Sequence, residues 1–123
     1  KTKKKPFKII SLTDNNAINS AISNDIGFDN LFVSQLETLY EKGDMLIALS
    51  ASGNSKNLIK AVKWFNNKKG YTFGILGFDG GKLIKLCKNS LIINSQKGEY
   101  GPVEDLQLIT NHILAHWYQL KLK

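Results

Sequence analysis

Residues 43–57 read GDMLIALSASGNSKN, a short apolar run followed by a loop of Ser, Gly and Asn residues. The unbroken run Met45–Leu49 predicts a strand of a parallel sheet, because strands covered on both faces do not alternate with polar residues. The residues after the loop predict a helix that starts at Ser55. A helix start at the carboxyl edge of such a sheet presents free N–H groups and positive partial charge, which attract anions. The segment therefore predicts a phosphate-binding loop over residues 50–55.

The residue types in this loop suit an anion. The hydroxyls of Ser50, Ser52 and Ser55 can donate hydrogen bonds, and Gly53 lets the backbone approach the ligand. Asn54 is assigned to the same phosphate-binding set. The loop matches neither GxxxxGK[ST] nor GxGxxG, which disfavours a nucleoside triphosphate. On composition alone, a simple helix cap with serines that only line a turn remains an alternative.

Three further apolar runs predict strands, at residues 7–12, 71–76 and 91–93. Helical patterns separate them, at residues 29–41, 55–69, 82–88 and from Pro102 onward, and the last helix carries an apolar stripe from Val103 to Leu120. Asp29 is expected to cap the first helix, and Gly70 to end the second in a left-handed conformation. Strands that alternate with helices predict one α/β domain over residues 1–123. We expect a three-layer, flavodoxin-like doubly wound sandwich with a mainly parallel sheet of at least four strands.

Composition excludes several classes of function. The net charge is +7, but all 17 basic residues are lysines, and bidentate reading of DNA bases favours arginine, so a nucleic-acid partner is disfavoured. No apolar run approaches the roughly 18 residues of a membrane helix. The single cysteine, Cys87, cannot form an internal disulfide, which favours a reducing, cytoplasmic compartment.

The S-x-S-G-N-S loop between a strand and a helix resembles the signature of sugar isomerase (SIS) domains. Three other stretches resemble the phosphoheptose isomerase branch of that family: NDIGF at residues 24–28, GFDGGK at residues 77–82, and the segment from Gly101 to His112. The matches occur in order and cover nearly the whole chain from about Phe7.

This resemblance implies an aldose–ketose isomerase that converts sedoheptulose 7-phosphate into D-glycero-D-manno-heptose 7-phosphate for lipopolysaccharide or capsule heptose synthesis. His112 is similar by position to the family's catalytic histidine, and Glu104 stands where the family more often has Gln. Asn15 stands at the family's Asp near the sugar. Some members are similar in holding zinc here, for which His112 and Glu104 would be two ligands. The resemblance also implies a homotetramer whose sites share residues between subunits.

Some features depart from the family pattern and leave alternatives open. The family's upstream helical segment, with a G-N-G-G-S loop and a catalytic glutamate, is not among these 123 residues, and Ala51 stands where Thr is frequent. One alternative is a non-catalytic sugar-phosphate-binding adaptor for a replication initiator. Another is the sensor domain of a transcriptional regulator. His116 lies one helical turn beyond His112 but is expected to be an ordinary surface histidine, since no third ligand accompanies the pair.

Overall fold

The computed structural model describes residues 8–122 and shows a parallel three-stranded sheet within them. The strands are β1 (Met45–Ser50), β2 (Tyr71–Gly77) and β3 (Asn89–Ile93), and they lie side by side in chain order. Both strand pairs are parallel. The helices are α1 (Asn16–Ile22), α2 (Leu31–Leu39), α3 (Lys56–Asn67), α4 (Leu83–Leu86) and α5 (Tyr100–Leu122). The predicted α/β class with a parallel sheet is confirmed.

Helices cover the two faces of the sheet unequally. Helices α3 and α4 connect consecutive strands on one face, where Val62 and Leu83 are fully buried against Ala48 and Leu76. Helix α2 packs against α3, where Leu36 is buried with Ala61 and Phe65. On the opposite face α5 contacts the sheet through Val103, which packs with core residues of β2 and β3. The core that positions the strand ends therefore lies mainly on the α3 side.

The fourth predicted strand, residues 7–12, is not present in the described part of the chain. Phe7 lies outside the described residues, and residues 8–12 have no regular structure. Ile9 and Ile10 are 82% and 53% exposed. The segment is held instead by the buried Gln35 side chain, whose Nε2 donates to the Leu12 carbonyl at 3.0 Å. This hydrogen bond to α2 takes the place of the predicted strand pairing in the segment.

Several predicted helix ends are also wrong. Helix α2 begins at Leu31 after a π-helical turn (Ser23–Gly27) and a 3₁₀ turn (Phe28–Asn30), so Asp29 does not cap it. At the end of α3 the left-handed residue is Lys69, with φ +61°, and not Gly70. A side chain at Gly70 would overlap the ring of Phe65, which explains the glycine.

Helix α5 is 23 residues long, and most of its predicted apolar stripe is exposed. Val103 is fully buried, whereas Ile113, Trp117 and Leu120 are all more than half exposed. The pattern identified the apolar face correctly but not how much of it this chain covers. Within residues 8–122 no helix is long and apolar enough to cross a membrane.

Candidate functional site

Two loops meet at the carboxyl edge of the sheet. The first, residues 50–55, joins β1 to α3 and is called the phosphate loop below. The second, the turn of residues 78–82, joins β2 to α4. Ser50, the last residue of β1, pairs in register with Leu76 of β2, so the two loops leave neighbouring strands side by side. This edge is where open α/β sheets bind ligands.

Two hydroxyl oxygens of the phosphate loop accept backbone hydrogen bonds within the loop. The buried Ser50 Oγ accepts the Gly53 N–H at 3.0 Å, and the Ser52 Oγ accepts the Asn54 N–H at 3.3 Å. Since each oxygen already accepts a bond, its own hydrogen stays available to an anion. Ser55 is the N-cap of α3, but its hydroxyl makes no capping bond. The three serines predicted to hold phosphate therefore lie together at the start of α3.

Glycines let the phosphate loop and the turn touch through their backbones. Gly53 has φ +62°, and a Cβ on it would overlap the carbonyl of Gly80. Its own carbonyl accepts the Leu83 N–H at 3.0 Å. From the other side, a Cβ on Gly81 would overlap the carbonyl of Ser52. Any larger residue at these positions would push the loops apart.

Asn54, predicted to bind phosphate, makes side-chain hydrogen bonds within the phosphate loop and to the turn. Its Nδ2 donates to the Ser52 carbonyl at 2.8 Å, and its Oδ1 accepts the Lys82 N–H at 3.2 Å. Within the turn, the Asp79 Oδ1 accepts the Gly81 N–H at 3.0 Å, as expected for an Asp in a tight turn. Sequence reasoning missed the bridge from Asn54 to the turn, and the glycines on both sides were the available signal.

The turn also contacts the start of α5. Phe78 is buried with φ +53°, and its ring packs edge-on against Tyr100 at 5.2 Å between centroids. Next to it, Val103 lies against Gly77, and the Gln107 Nε2 donates to the Ile75 carbonyl at 3.0 Å. Helix α5 thus begins at the carboxyl edge and runs back across the sheet.

Glu104 and His112 are both exposed on α5. Glu104 follows the buried Val103 and so lies near the carboxyl edge. His112 is eight residues further on, a rise of about 12 Å along the helix, and lies beyond the hydrogen bond of Gln107 to the sheet. About 12 Å of helix therefore separates His112 from Glu104, the residue that lies near the carboxyl edge.

The remaining predicted residues do not join this cluster. Asn15 is the N-cap of α1, and its Oδ1 accepts the Ile18 N–H at 3.1 Å. Among residues 8–122 no group of three or more His, Cys, Asp or Glu side chains could hold a metal ion. Because Glu104 and His112 are about 12 Å apart along one helix, they do not form a zinc site within one chain. Burial raises the pKa of the Cys87 thiol, as expected for a packed residue.

Comparison with known proteins identifies relatives of this chain. No family model matches the chain. A phosphoheptose isomerase from Aliarcobacter butzleri is 36% identical over 115 residues, which are 94% of this chain and 60% of that protein. One from Helicobacter hepaticus is 35% identical over 115 residues, 94% of this chain and 58% of that protein. The chain thus spans about three fifths of the length of these relatives.

Solved structures agree with the sequence comparison. A phosphoheptose isomerase structure from Neisseria gonorrhoeae has a TM-score of 0.79 and 31% identity, covering 85% of this chain and 57% of that one. A phosphoheptose isomerase structure from Francisella tularensis, at 24% identity and a TM-score of 0.76, covers 85% of this chain and 58% of that one, and shows the same fold. The chain therefore belongs to the phosphoheptose isomerase family of SIS-domain proteins.

Proposed function

We propose that this chain is the sugar-phosphate-binding domain of an isomerase that interconverts sedoheptulose 7-phosphate and D-glycero-D-manno-heptose 7-phosphate. The observation that carries the proposal is the serine-lined phosphate loop at the start of α3, in a chain that aligns with a phosphoheptose isomerase over 94% of its length. We expect the reaction to take place in the cytoplasm and its product to supply heptose for lipopolysaccharide or capsule.

The phosphate loop would hold the end of the substrate that does not react. The hydroxyls of Ser50, Ser52 and Ser55 would donate to phosphate oxygens, and the N-terminus of α3 would stabilise their negative charge. Binding the distant phosphate fixes the position of the sugar carbons at the other end of the substrate. Binding energy gained there can therefore lower the barrier of the chemical step.

The chemistry itself moves one proton between C1 and C2. A base removes a proton from C1 of the ketose while an acid protonates the oxygen on C2, which gives an enediol. Returning a proton to C2 and removing one from the oxygen on C1 gives the aldose. Histidine suits such acid–base work near neutral pH, so we assign this role to His112, with Glu104 beside the substrate.

The position of His112 supports a homo-oligomer, and we propose a homotetramer. His112 lies about 12 Å of helix beyond Glu104, which is near the carboxyl edge. Around it, the outer half of α5 exposes Ile113, Trp117 and Leu120 by 62%, 55% and 55% of their surfaces. Such an apolar helix face is typical of a subunit contact. A second copy packed there would bring His112 to a neighbouring phosphate loop.

Turnover of sedoheptulose 7-phosphate by the full-length protein tests this function, with and without added zinc. His112→Ala should lower kcat at least about 100-fold, because loss of a general acid–base group typically costs that much. His116→Ala is the matched control, one turn away on the same exposed helix, and should keep near-parental activity. Both side chains are exposed in the single chain, so both variants should fold like the parent. Because both lie on the face proposed as the subunit contact, the oligomeric state of each variant is compared with that of the parent.

Two outcomes would contradict the proposal in different ways. A folded, oligomeric parent without any turnover would reject the isomerase and favour a non-catalytic sugar-phosphate-binding protein, such as an adaptor or a regulatory sensor. Equal activity of the His112→Ala variant and the parent would keep the isomerase but remove His112 from the mechanism.

A further inference from the structure

The Asn54 side chain uses both ends of its amide to fasten the phosphate loop to the neighbouring turn. Its Nδ2 donates to the Ser52 carbonyl at 2.8 Å, and its Oδ1 accepts the Lys82 N–H at 3.2 Å. A flipped amide would place oxygen against the Ser52 carbonyl and nitrogen against the Lys82 N–H, so this orientation is the one that both partners require. The Oδ1 acceptor and one of the two Nδ2 hydrogens are therefore already in use within the protein.

The turn is a fixed support for this bridge. Phe78, Gly80 and Gly81 have φ values of +53°, +76° and +52°, and the Asp79 carboxylate holds the Gly81 N–H. Phe78 is buried, although a left-handed conformation is costly for a bulky side chain. Such a conformation persists only where the surrounding structure determines it.

The phosphate loop, by contrast, has few hydrogen bonds that fix its conformation. Between the end of β1 and the start of α3, its internal bonds are those that Ser50, Ser52 and Asn54 make within the loop. Its bonds to the turn and α4 are the Asn54 amide to Lys82 and the Gly53 carbonyl to the Leu83 N–H. Without Asn54 the loop would keep only one hydrogen bond to this support.

We propose that Asn54 is a positioning residue: it does not contact phosphate but holds the phosphate loop in its binding conformation by fastening it to the turn of residues 78–82. The inference rests on the proposed function, because it assigns how the phosphate site of that function is kept preformed. A site that is competent only part of the time binds more weakly in proportion to that fraction. Losing the bridge should therefore lower phosphate affinity even though no ligand contact is removed.

A double-mutant cycle separates this role from direct binding. The Lys82 backbone has φ −74°, which proline can adopt, so Lys82→Pro removes the N–H that Asn54 accepts. Lys82→Ala removes the same side chain and keeps the N–H. Asn54→Ala is then introduced into each background, and binding of inorganic phosphate to the full-length protein is measured by titration calorimetry at constant ionic strength.

We expect Asn54→Ala to weaken phosphate binding about tenfold in the Lys82→Ala background and no more than about threefold in the Lys82→Pro background. An equal effect in both backgrounds would overturn the inference, since Asn54 would then not act through the Lys82 N–H. Asn67→Ala, at the far end of α3, is a control for the loss of an exposed amide and should leave binding unchanged.

A second measurement keeps the inference testable if the proline variant does not fold. Amide hydrogen exchange of Lys82 should be at least about tenfold faster in Asn54→Ala than in the parent, because its hydrogen-bond acceptor is gone. An unchanged exchange rate of the Lys82 amide would show that Asn54 does not hold this N–H in solution, and would overturn the inference. A parent that does not bind phosphate would reject the proposed phosphate site, and the role of Asn54 with it. A parent that binds phosphate without coupling between Asn54 and Lys82 would reject this inference alone.

Discussion

Replacing Gly53 with alanine should destabilise the protein far more than replacing Gly43, although both glycines have a positive φ. Gly43 has φ +102°, and a Cβ there would meet nothing within 4 Å. Gly53 has φ +62°, which alanine tolerates at least as well, but its Cβ would overlap the Gly80 carbonyl and lie 2.9 Å from the Gly81 nitrogen. Backbone conformation alone would therefore rank the two variants equally or in the opposite order.

The expected magnitudes follow from the contacts that Gly53→Ala breaks. An alanine at positive φ costs about 1–2 kcal/mol, and this is the whole effect at Gly43. At Gly53 the loops must also separate, which breaks the bond to Leu83 and the bridge from Asn54 to Lys82. These two bonds contribute about 1 kcal/mol each. We expect about 1.5 kcal/mol for Gly43→Ala and about 3.5 kcal/mol for Gly53→Ala.

Urea denaturation followed by circular dichroism measures this difference. With a slope of about 2 kcal/mol per molar urea, the midpoint of Gly53→Ala should lie about 1 M below that of Gly43→Ala. Phosphate binding should be lost in Gly53→Ala and kept in Gly43→Ala. Midpoints that agree within about 0.3 M would refute the reasoning, because the loop and the turn would then not be in contact in solution.

Three further changes test other parts of the structure. Val103→Ala should lower the free energy of unfolding by about 2–3 kcal/mol in urea denaturation, because this fully buried residue anchors α5. The control Leu106→Ala, at an exposed position, should change it by less than about 0.5 kcal/mol. Similar losses in the two variants would contradict the anchoring role of Val103. Ser55→Ala should weaken inorganic phosphate binding several-fold in calorimetry yet cost less than the roughly 1 kcal/mol of a normal N-cap, since its hydroxyl makes no capping bond. Burial raises the pKa of the Cys87 thiol above its usual 9.0, so the thiol ionises more readily in the unfolded chain, and the free energy of unfolding should fall as the pH rises above 9.0. Ellman's reagent should also label the native protein slowly at pH 8. Fast labelling of the folded protein would show that this thiol is not buried.

Local patterns predicted the elements that carry the phosphate site. The run Met45–Leu49 became β1 almost residue for residue, and α3 begins at Lys56, one residue after the predicted start at Ser55. Both depend on short-range signals, an unbroken apolar run and a Ser before a helix, which act within a few residues. Contacts between residues far apart in the sequence could not be predicted from these local patterns. The bridge from Asn54 to Lys82 joins residues 28 positions apart, and nothing near Asn54 distinguishes an amide that binds ligand from one that binds a neighbouring turn.

The apolar stripe of α5 shows a second limit of sequence patterns. Its period predicted a buried face, yet Leu106, Ile109 and Leu114 are between 44% and 49% exposed in the single chain. A period reports which side chains share a face of a helix and does not report what covers that face. The functional assignment of His112 on this helix came from the family resemblance and not from the pattern.

The two halves of the proposed site differ in how they are held. The phosphate loop is fixed by bonds within its own chain, from the Ser50 hydroxyl through the Gly53 backbone to the turn. The helix that carries the proposed acid–base group is anchored at Val103 and Gln107, and His112 lies beyond both anchors. Phosphate affinity should therefore be a property of the single chain. Catalysis requires the imidazole within hydrogen-bonding distance of a reacting carbon or oxygen, and this depends on what packs against the exposed half of α5. If isomerisation occurs, the contact that completes the site is thus the one that covers this apolar face.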